Sequence, residues 1–348
     1  MSNKQNELEH KLRKRRGKKP VHNRRHKNKL NIRLKVNTDS YGVLVIATMS
    51  AGKSTLINAI LGRELLHSAN EATTACLTSI EYHEQASFYS GACYSDEGQQ
   101  IDFESLVLKD KVRSWNANSQ VNHIKLYGEI YGASSSIRRL ILHDTPGPNN
   151  SQNERHSKIM HKALATIPSK AIIYVLNAGQ LGVKDDHLLL KSLQNKIANN
   201  ALTKVIFVLN KIDLLDIERD ENVTDYVEKT KIYLEQAGFV KPFIIPVIAN
   251  AALYARKKLN GESLTRVESN RLNQSLEDFH NHKYTLISSA AVPNVIKTSA
   301  FNEMLYIQNR LALDTKDSEA LKLNQLIVYS GIRTLELFLS QKGTLMYE

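Results

Sequence analysis

Only two cysteines occur in the chain, Cys76 and Cys93, too few and too far apart for a disulfide framework or a metal-ligand spacing. Their scarcity fits a reducing cytosol, with both side chains acting as small buried hydrophobes. No run reaches the ~18–20 apolar residues a membrane-spanning helix needs. The best stretch, 243–255, is short and interrupted by Pro246 and Asn250. The N-terminus is basic but has no apolar stretch behind it, so it does not read as a secretory signal. These absences lead us to expect a cytoplasmic protein, at most peripheral to a membrane or nucleoid. Acidic residues are missing altogether from 11–29, which carries Lys11, Arg13, Lys14, Arg15, Arg16, Lys18, Lys19, Arg24, Arg25, Lys27 and Lys29. Of the formal net charge of +12, these eleven account for all but about +1. Such an arm suits a polyanion, either nucleic acid or an anionic membrane. A solubilising tail without a specific partner is the plain alternative.

What is present is a body of ordinary globular composition, 42% hydrophobic and 24% charged over 348 residues. From residue 41 onward, apolar runs at 41–47, 77–83, 137–143, 171–176, 204–209 and 243–248 alternate with helical patterns at 53–61, 151–167, 185–197 and 224–237. That alternation predicts an α/β fold with a mostly parallel sheet flanked by helices. Residues 88–131 read less clearly, as strands and a helix at one edge. A polar, helix-prone segment follows at about 251–325, and an apolar terminal helix is expected at 329–340. The expected division is a basic, flexible arm, 1–36, and one domain, 37–348, without internal repeats.

Three short motifs sit at the ends of apolar strands. The first, Ala47-Thr48-Met49-Ser50-Ala51-Gly52-Lys53-Ser54-Thr55, links a strand to a helix opening Leu56-Ile57. This is the context of a P-loop NTPase: backbone N–H groups from Ser50 through Thr55 and a helix N-terminus face phosphates. Lys53 reaches the β/γ-phosphates, on this reading over a solvated, ligand-free loop, and the Ser54 hydroxyl binds Mg2+. Ala47 stands where the first glycine is usual, which predicts a more constrained loop. The second motif, Asp144-Thr145-Pro146-Gly147, follows Leu140-Ile141-Leu142. Asp144 can hold the Mg2+ shell, and the Gly147 N–H can donate to a γ-phosphate; alone, the motif reads equally as a turn. The third, Asn210-Lys211-Ile212-Asp213, ends an apolar strand. A carboxylate at 213 can accept from the guanine N1–H and exocyclic amine, a donor pair that adenine lacks. Between the first two, Thr73 and Thr74 lie in a linker where a threonine can ligate Mg2+ only with the triphosphate bound; Thr74 is the preferred candidate.

As a set, these residues resemble the dynamin superfamily, and more closely its bacterial dynamin-like members. The likeness rests on 49–62, the Thr73-Thr74-Ala75 segment, 144–149, 210–213 and Ser330-Gly331-Ile332, and spans about 38–342. It implies a dynamin-type G domain hydrolysing GTP to GDP and phosphate, stimulated by a nucleotide-dependent homodimer, with Mg2+ and a monovalent cation, K+ or Na+. It implies Ser50 at the β–γ bridging oxygen and the cation, and Thr74 with the Gly147 backbone at the attacking water. Asn210, Lys211 and Asp213 then serve the base, with Asn250 near the last base-contacting loop and Asp216 facing a partner subunit's nucleotide. Met49 departs from the glutamine of eukaryotic dynamins, and the sequence stops where a stalk would begin, so a stalk-bearing partner protein is also implied. A slow or non-hydrolysing GTP-gated adaptor, binding nucleic acid or an anionic membrane through the basic arm, is the second functional reading.

Overall fold

The computed structural model describes residues 40–340 apart from 49, 68–75, 85, 132–139, 148–153, 183, 200–202, 216–220, 283 and 314–316. The basic arm, Met49, Thr73, Thr74 and Asp216 therefore lie outside the described residues.

Among the described residues nine strands form one sheet: β1 Tyr41–Ala47, β2 Leu77–Tyr82, β3 Ser90–Tyr94, β4 Gln100–Glu104, β5 His123–Gly128, β6 Leu140–Asp144, β7 Ala171–Asn177, β8 Lys204–Asn210 and β9 Phe243–Val247. Their spatial order is β4-β3-β5-β2-β6-β1-β7-β8-β9. From β6 to β9 every pairing is parallel. Strands β1 and β7 bury nearly every residue, as expected of parallel strands covered on both faces. Beyond β6 the pairing is mixed: β2 runs antiparallel to β6 and parallel to β5, and β3 is antiparallel to both β5 and β4. The fold is thus the expected mostly parallel sheet flanked by helices, and β3, β4 and a helix fall at one edge as anticipated.

Helices α1 Lys53–Leu61, α2 Lys109–Ala117, α3 Glu154–Thr166, α4 Lys184–Asn199 and α5 Val223–Gln236 connect the strands. Helix α4 is tied to the sheet where the Tyr174 hydroxyl donates to Asp186 at 2.8 Å. Phe207 of β8 meets Phe239, just after α5, edge-on at 5.1 Å. The polar region expected to be helical resolves into α6 Ala249–Leu259, α7 Arg266–His282, α8 Thr285–Ser289, α9 Asn294–Leu313 and α10 Ser318–Tyr329. The terminal helix, α11 Ile332–Ser340, begins later than the apolar pattern suggests. Gly331 causes the break: its φ is +80°, and a Cβ there would lie 2.1 Å from the Pro246 carbonyl oxygen. Only glycine meets both conditions, so Tyr329 closes α10 instead of opening α11.

Among the described residues, strand β4 has a neighbour on one side only. Asp102 accepts from the Phe103 N–H at 2.8 Å, and Glu104 from the Ser105 N–H at 3.2 Å. Its pairing with β3 also slips at Cys93/Tyr94. Carboxylates and irregularity of this kind blunt an edge strand.

Candidate nucleotide site

The C-terminal ends of the parallel strands lead into the three sequence motifs. Strand β1 runs through Ala47, which pairs with Val175 and is buried as a strand residue. The expected constraint from Ala47 does not arise, because the left-handed positions lie later, at Ser50 (φ 60°) and Gly52 (φ 87°). Gly52 has no substitute: a Cβ would sit 2.4 Å from Asn210 Nδ2. Ala51, Lys53 and Ser54 are buried, whereas Ser50 is exposed. The first turn of α1 thus presents its N–H groups at the mouth of β1.

Asp144 ends β6 and is almost wholly buried at 1% exposure, and Lys53 donates to it directly. The solvated Lys53 expected from sequence is thereby corrected: its ammonium is also buried and has a fixed anionic partner. Next to it, Thr145 Oγ1 donates to the Val45 carbonyl at 2.9 Å, joining the ends of β6 and β1. Gly147 is half-buried at the margin of the described residues, with open space around its Cα.

Asn210 ends β8 and is buried. Its Nδ2 donates to the Ala51 carbonyl at 2.9 Å, and its Oδ1 accepts from the Ala249 N–H at 3.2 Å. One side chain therefore fixes the phosphate loop to the start of α6. Lys211 adopts a left-handed conformation (φ 66°) and swings its stem beside Gly52. Asp213 follows in the short turn Ile212–Leu214. Although Asp213 is exposed at its surface, desolvation raises its carboxyl above the ordinary carboxylate value. Lys211 and Arg271 act against the rise, and Asp278 with it. Asn250 lies in the first turn of α6 and is half-buried. No described helix is long and apolar enough to cross a membrane.

The sequence profile of the Dynamin family matches residues 43–212. Residues 43–212 form a dynamin-family GTPase domain. Among curated relatives, the chain is similar to dynamin-like protein A of Bacillus subtilis (strain 168), 25% identical over 54% of this chain and 15% of that protein. It is also similar to an uncharacterized protein in the xynA 3' region of Caldicellulosiruptor sp. (strain Rt8B.4), 24% identical over 68% of this chain and 56% of that protein. The chain thus spans little more than half of one relative and a small part of the other. Among solved structures, a bacterial dynamin from an oligomerised, membrane-tethering pair aligns with a TM-score of 0.48 at 17% identity, covering 80% of this chain and 42% of its own. Era of Aquifex aeolicus bound to GDP and AlF4- aligns with a TM-score of 0.36 at 17% identity, covering 66% and 58%.

Within the dynamin-family domain, four further residues shape the site without having been singled out by sequence. Asn58, one turn after Ser54 in α1, is fully buried. It donates to the Leu66 carbonyl at 2.7 Å and accepts from the Leu65 and Leu66 N–H groups at 3.1 and 2.8 Å. Asn116 of α2 accepts from the Cys76 N–H at 3.3 Å. These two asparagines hold the two ends of the linker that contains Thr73 and Thr74. Thr145 is the third, and Arg113 is the fourth. A small cleft with room for about one water lies between Leu66, His67, Thr78 and Asp144 on one side and Arg113 and Asn116 of α2 on the other. An asparagine inside the apolar run Leu56–Leu61 is a signal that sequence could have offered; the contacts of Asn116 and Arg113 carry no local signature.

Proposed function

We propose that this chain binds GTP with Mg2+ and hydrolyses it to GDP and phosphate, accelerated when two domains dimerise across their nucleotides. The observation that carries this reading is the double hydrogen bond of Asn210. It joins the phosphate loop, the guanine motif and the start of α6 into one rigid frame.

In this mechanism the N–H groups around Ser50, Ala51, Gly52 and Thr55 hold the phosphates, and Lys53 transfers its ammonium from Asp144 to the β/γ-phosphates. Asp213 accepts from guanine, Lys211 flanks the base, and Asn250 stands at its far side. The Gly147 N–H and Thr74 orient the attacking water, and Ser50 faces the bridging oxygen, where K+ or Na+ would sit beside it. The Ser54 hydroxyl and the Asp144 carboxylate are hard oxygen donors, and few protein oxygens suffice where phosphates complete the shell, so the site fits Mg2+. When bound with the nucleotide, Mg2+ supplies neutralisation of charge on the phosphate oxygens. In-line positioning by these residues then accounts for most of the rate.

Titration with GTP and ATP tests the base assignment. Preference for GTP is expected, and equal affinities would sink it. Single-turnover hydrolysis in K+ and in Na+ tests the catalytic part. Sizing with GDP and with a GTP transition-state mimic tests dimerisation, which should appear with the mimic alone.

The acid-free run 11–29 favours a second role, in which the nucleotide state gates an adaptor on nucleic acid or an anionic membrane. Its binding should fall steeply with salt, by about 0.9 in log–log slope per neutralised DNA phosphate. Deleting residues 1–34 should abolish that binding and leave GTP affinity in place.

A further inference from the structure

Helix α2 belongs to the stretch between β2 and β6, and its placement beside the nucleotide site is enforced by several contacts. Trp115 is buried and its Nε1 donates to Asp102 at 2.8 Å. Lys111 pairs with Asp102 at 2.9 Å, and Lys109 with Glu64 at 2.5 Å. With Asn116 bound to Cys76, the helix is pinned at both ends. The same geometry brings Arg113 to the wall of the cleft that Asp144 lines from the other side.

Among the described residues, the charges around this cleft do not cancel. Asp144 is occupied by Lys53. Among the described residues, Glu64 is shared by Lys109 and, at 3.4 Å, by Lys257. Arg113 is exposed and forms no ion pair with a described residue. The His67 imidazole is pushed below its ordinary pKa, first by burial and then by Arg113 and Lys109, with Glu64 acting against them. An uncompensated guanidinium beside a buried Lys–Asp pair attracts an anion, and its planar fork suits a phosphate.

We propose that Arg113 is a phosphate-binding residue of the nucleotide site, a cation that α2 delivers to the Asp144 side, where it contacts the terminal phosphate of GTP. This rests on the GTP reading above, because the triphosphate is the anion which that reading brings next to Asp144. The cleft holds only about one water, so the phosphate stays outside it and the guanidinium meets it at the rim. A diphosphate lacks the γ-oxygens, so Arg113 separates GTP from GDP instead of strengthening both.

The test compares the full chain with Arg113→Ala, Arg113→Gln and Arg113→Lys. Affinities for GDP and for a non-hydrolysable GTP analogue are measured with Mg2+ at low and high salt. Loss of a charge-assisted contact should weaken the triphosphate by about tenfold or more in the Ala and Gln variants, with GDP within about twofold. Lys should restore part of the difference, and high salt should shrink it. The exposed position predicts unchanged thermal unfolding without ligand. Equal losses for both nucleotides, or none for either, would overturn the assignment. Failure of the unsubstituted chain to prefer GTP would instead overturn the GTP reading itself.

Discussion

The two halves of the sheet were built under different constraints. From β6 to β9 the strands are parallel, the central ones are buried on both faces, and their C-terminal ends feed the phosphate loop, the Asp144 motif and the guanine motif. Beyond β6, β5 alternates buried and half-buried residues, and β4 is largely exposed. The first half binds rigidity to chemistry: moving any strand end moves a ligand contact. The second half is a flank whose contribution is α2 and the anchoring of the Thr73–Thr74 linker. Substitutions should therefore couple stability to nucleotide binding in the parallel half and separate them in the mixed half.

The largest effect is expected for Lys53→Ala. Triphosphate affinity should fall at least about 100-fold, and the chain should lose about 3 kcal/mol of stability because the buried Asp144 carboxylate loses the cation that compensates it. Adding Asp144→Asn should recover most of the stability and none of the affinity, as read by urea unfolding and nucleotide titration. A single variant as stable as the parent would break the coupling. Gly331→Ala comes next. A left-handed backbone and the overlap with the Pro246 carbonyl behind β9 should cost at least about 2 kcal/mol. A shift in denaturation midpoint too small for that would show that the β9 ends can yield.

At the seam between the halves, Ser79 Oγ lies 2.8 Å from both His123 Nε2 and His143 Nδ1. Burial lowers His123 to about 3, helped by Lys125 and His143, and lowers His143 to about 4. Both values lie below the unfolded 6.5, so the unfolded chain binds more protons as pH falls. Stability should be full above pH ~6.5 and decline towards pH 4, with up to about 2 kcal/mol lost per histidine by pH ~5. Urea unfolding at two pH values checks this, and His143→Gln should remove about half of the slope; a flat profile in the parent is the contrary result. The smallest effect belongs to the outer flank. Phe103 is 58% exposed, so Phe103→Ser should change stability by no more than about 0.5 kcal/mol and leave GTP affinity alone.

The same contrast explains what could be read from the residues. Strands 41–47, 171–176 and 204–209 were legible because a doubly covered parallel strand is a continuous apolar run, and the structure moves their ends by no more than one residue. Strands β3 and β4 hold five residues each, carry glycine, aspartate and glutamate, and gain their partners only through tertiary pairing. The helices after Val247 were foreseen as a class but not as separate pieces, since breaks such as the one at Gly331 depend on a carbonyl 85 positions earlier in the chain. At the site, motif residues at strand ends were visible from spacing. The Lys53–Asp144 pair, Asn116 and Arg113 were not, because each acts across 31 positions or more on a surface that exists only after folding.

The capped edge at β4 has one more consequence. A nine-stranded sheet is a template that could recruit extended segments from neighbouring molecules and grow into fibrils during synthesis, when many copies are crowded together. Asp102 stands in the way. Trp115 and Lys111 hold its carboxyl down to about 2, so it stays ionised and paired with Lys111 in any acidity a cell encounters. An incoming strand would have to meet and desolvate the Asp102–Lys111 ion pair, which disfavours cross-β growth from this rim.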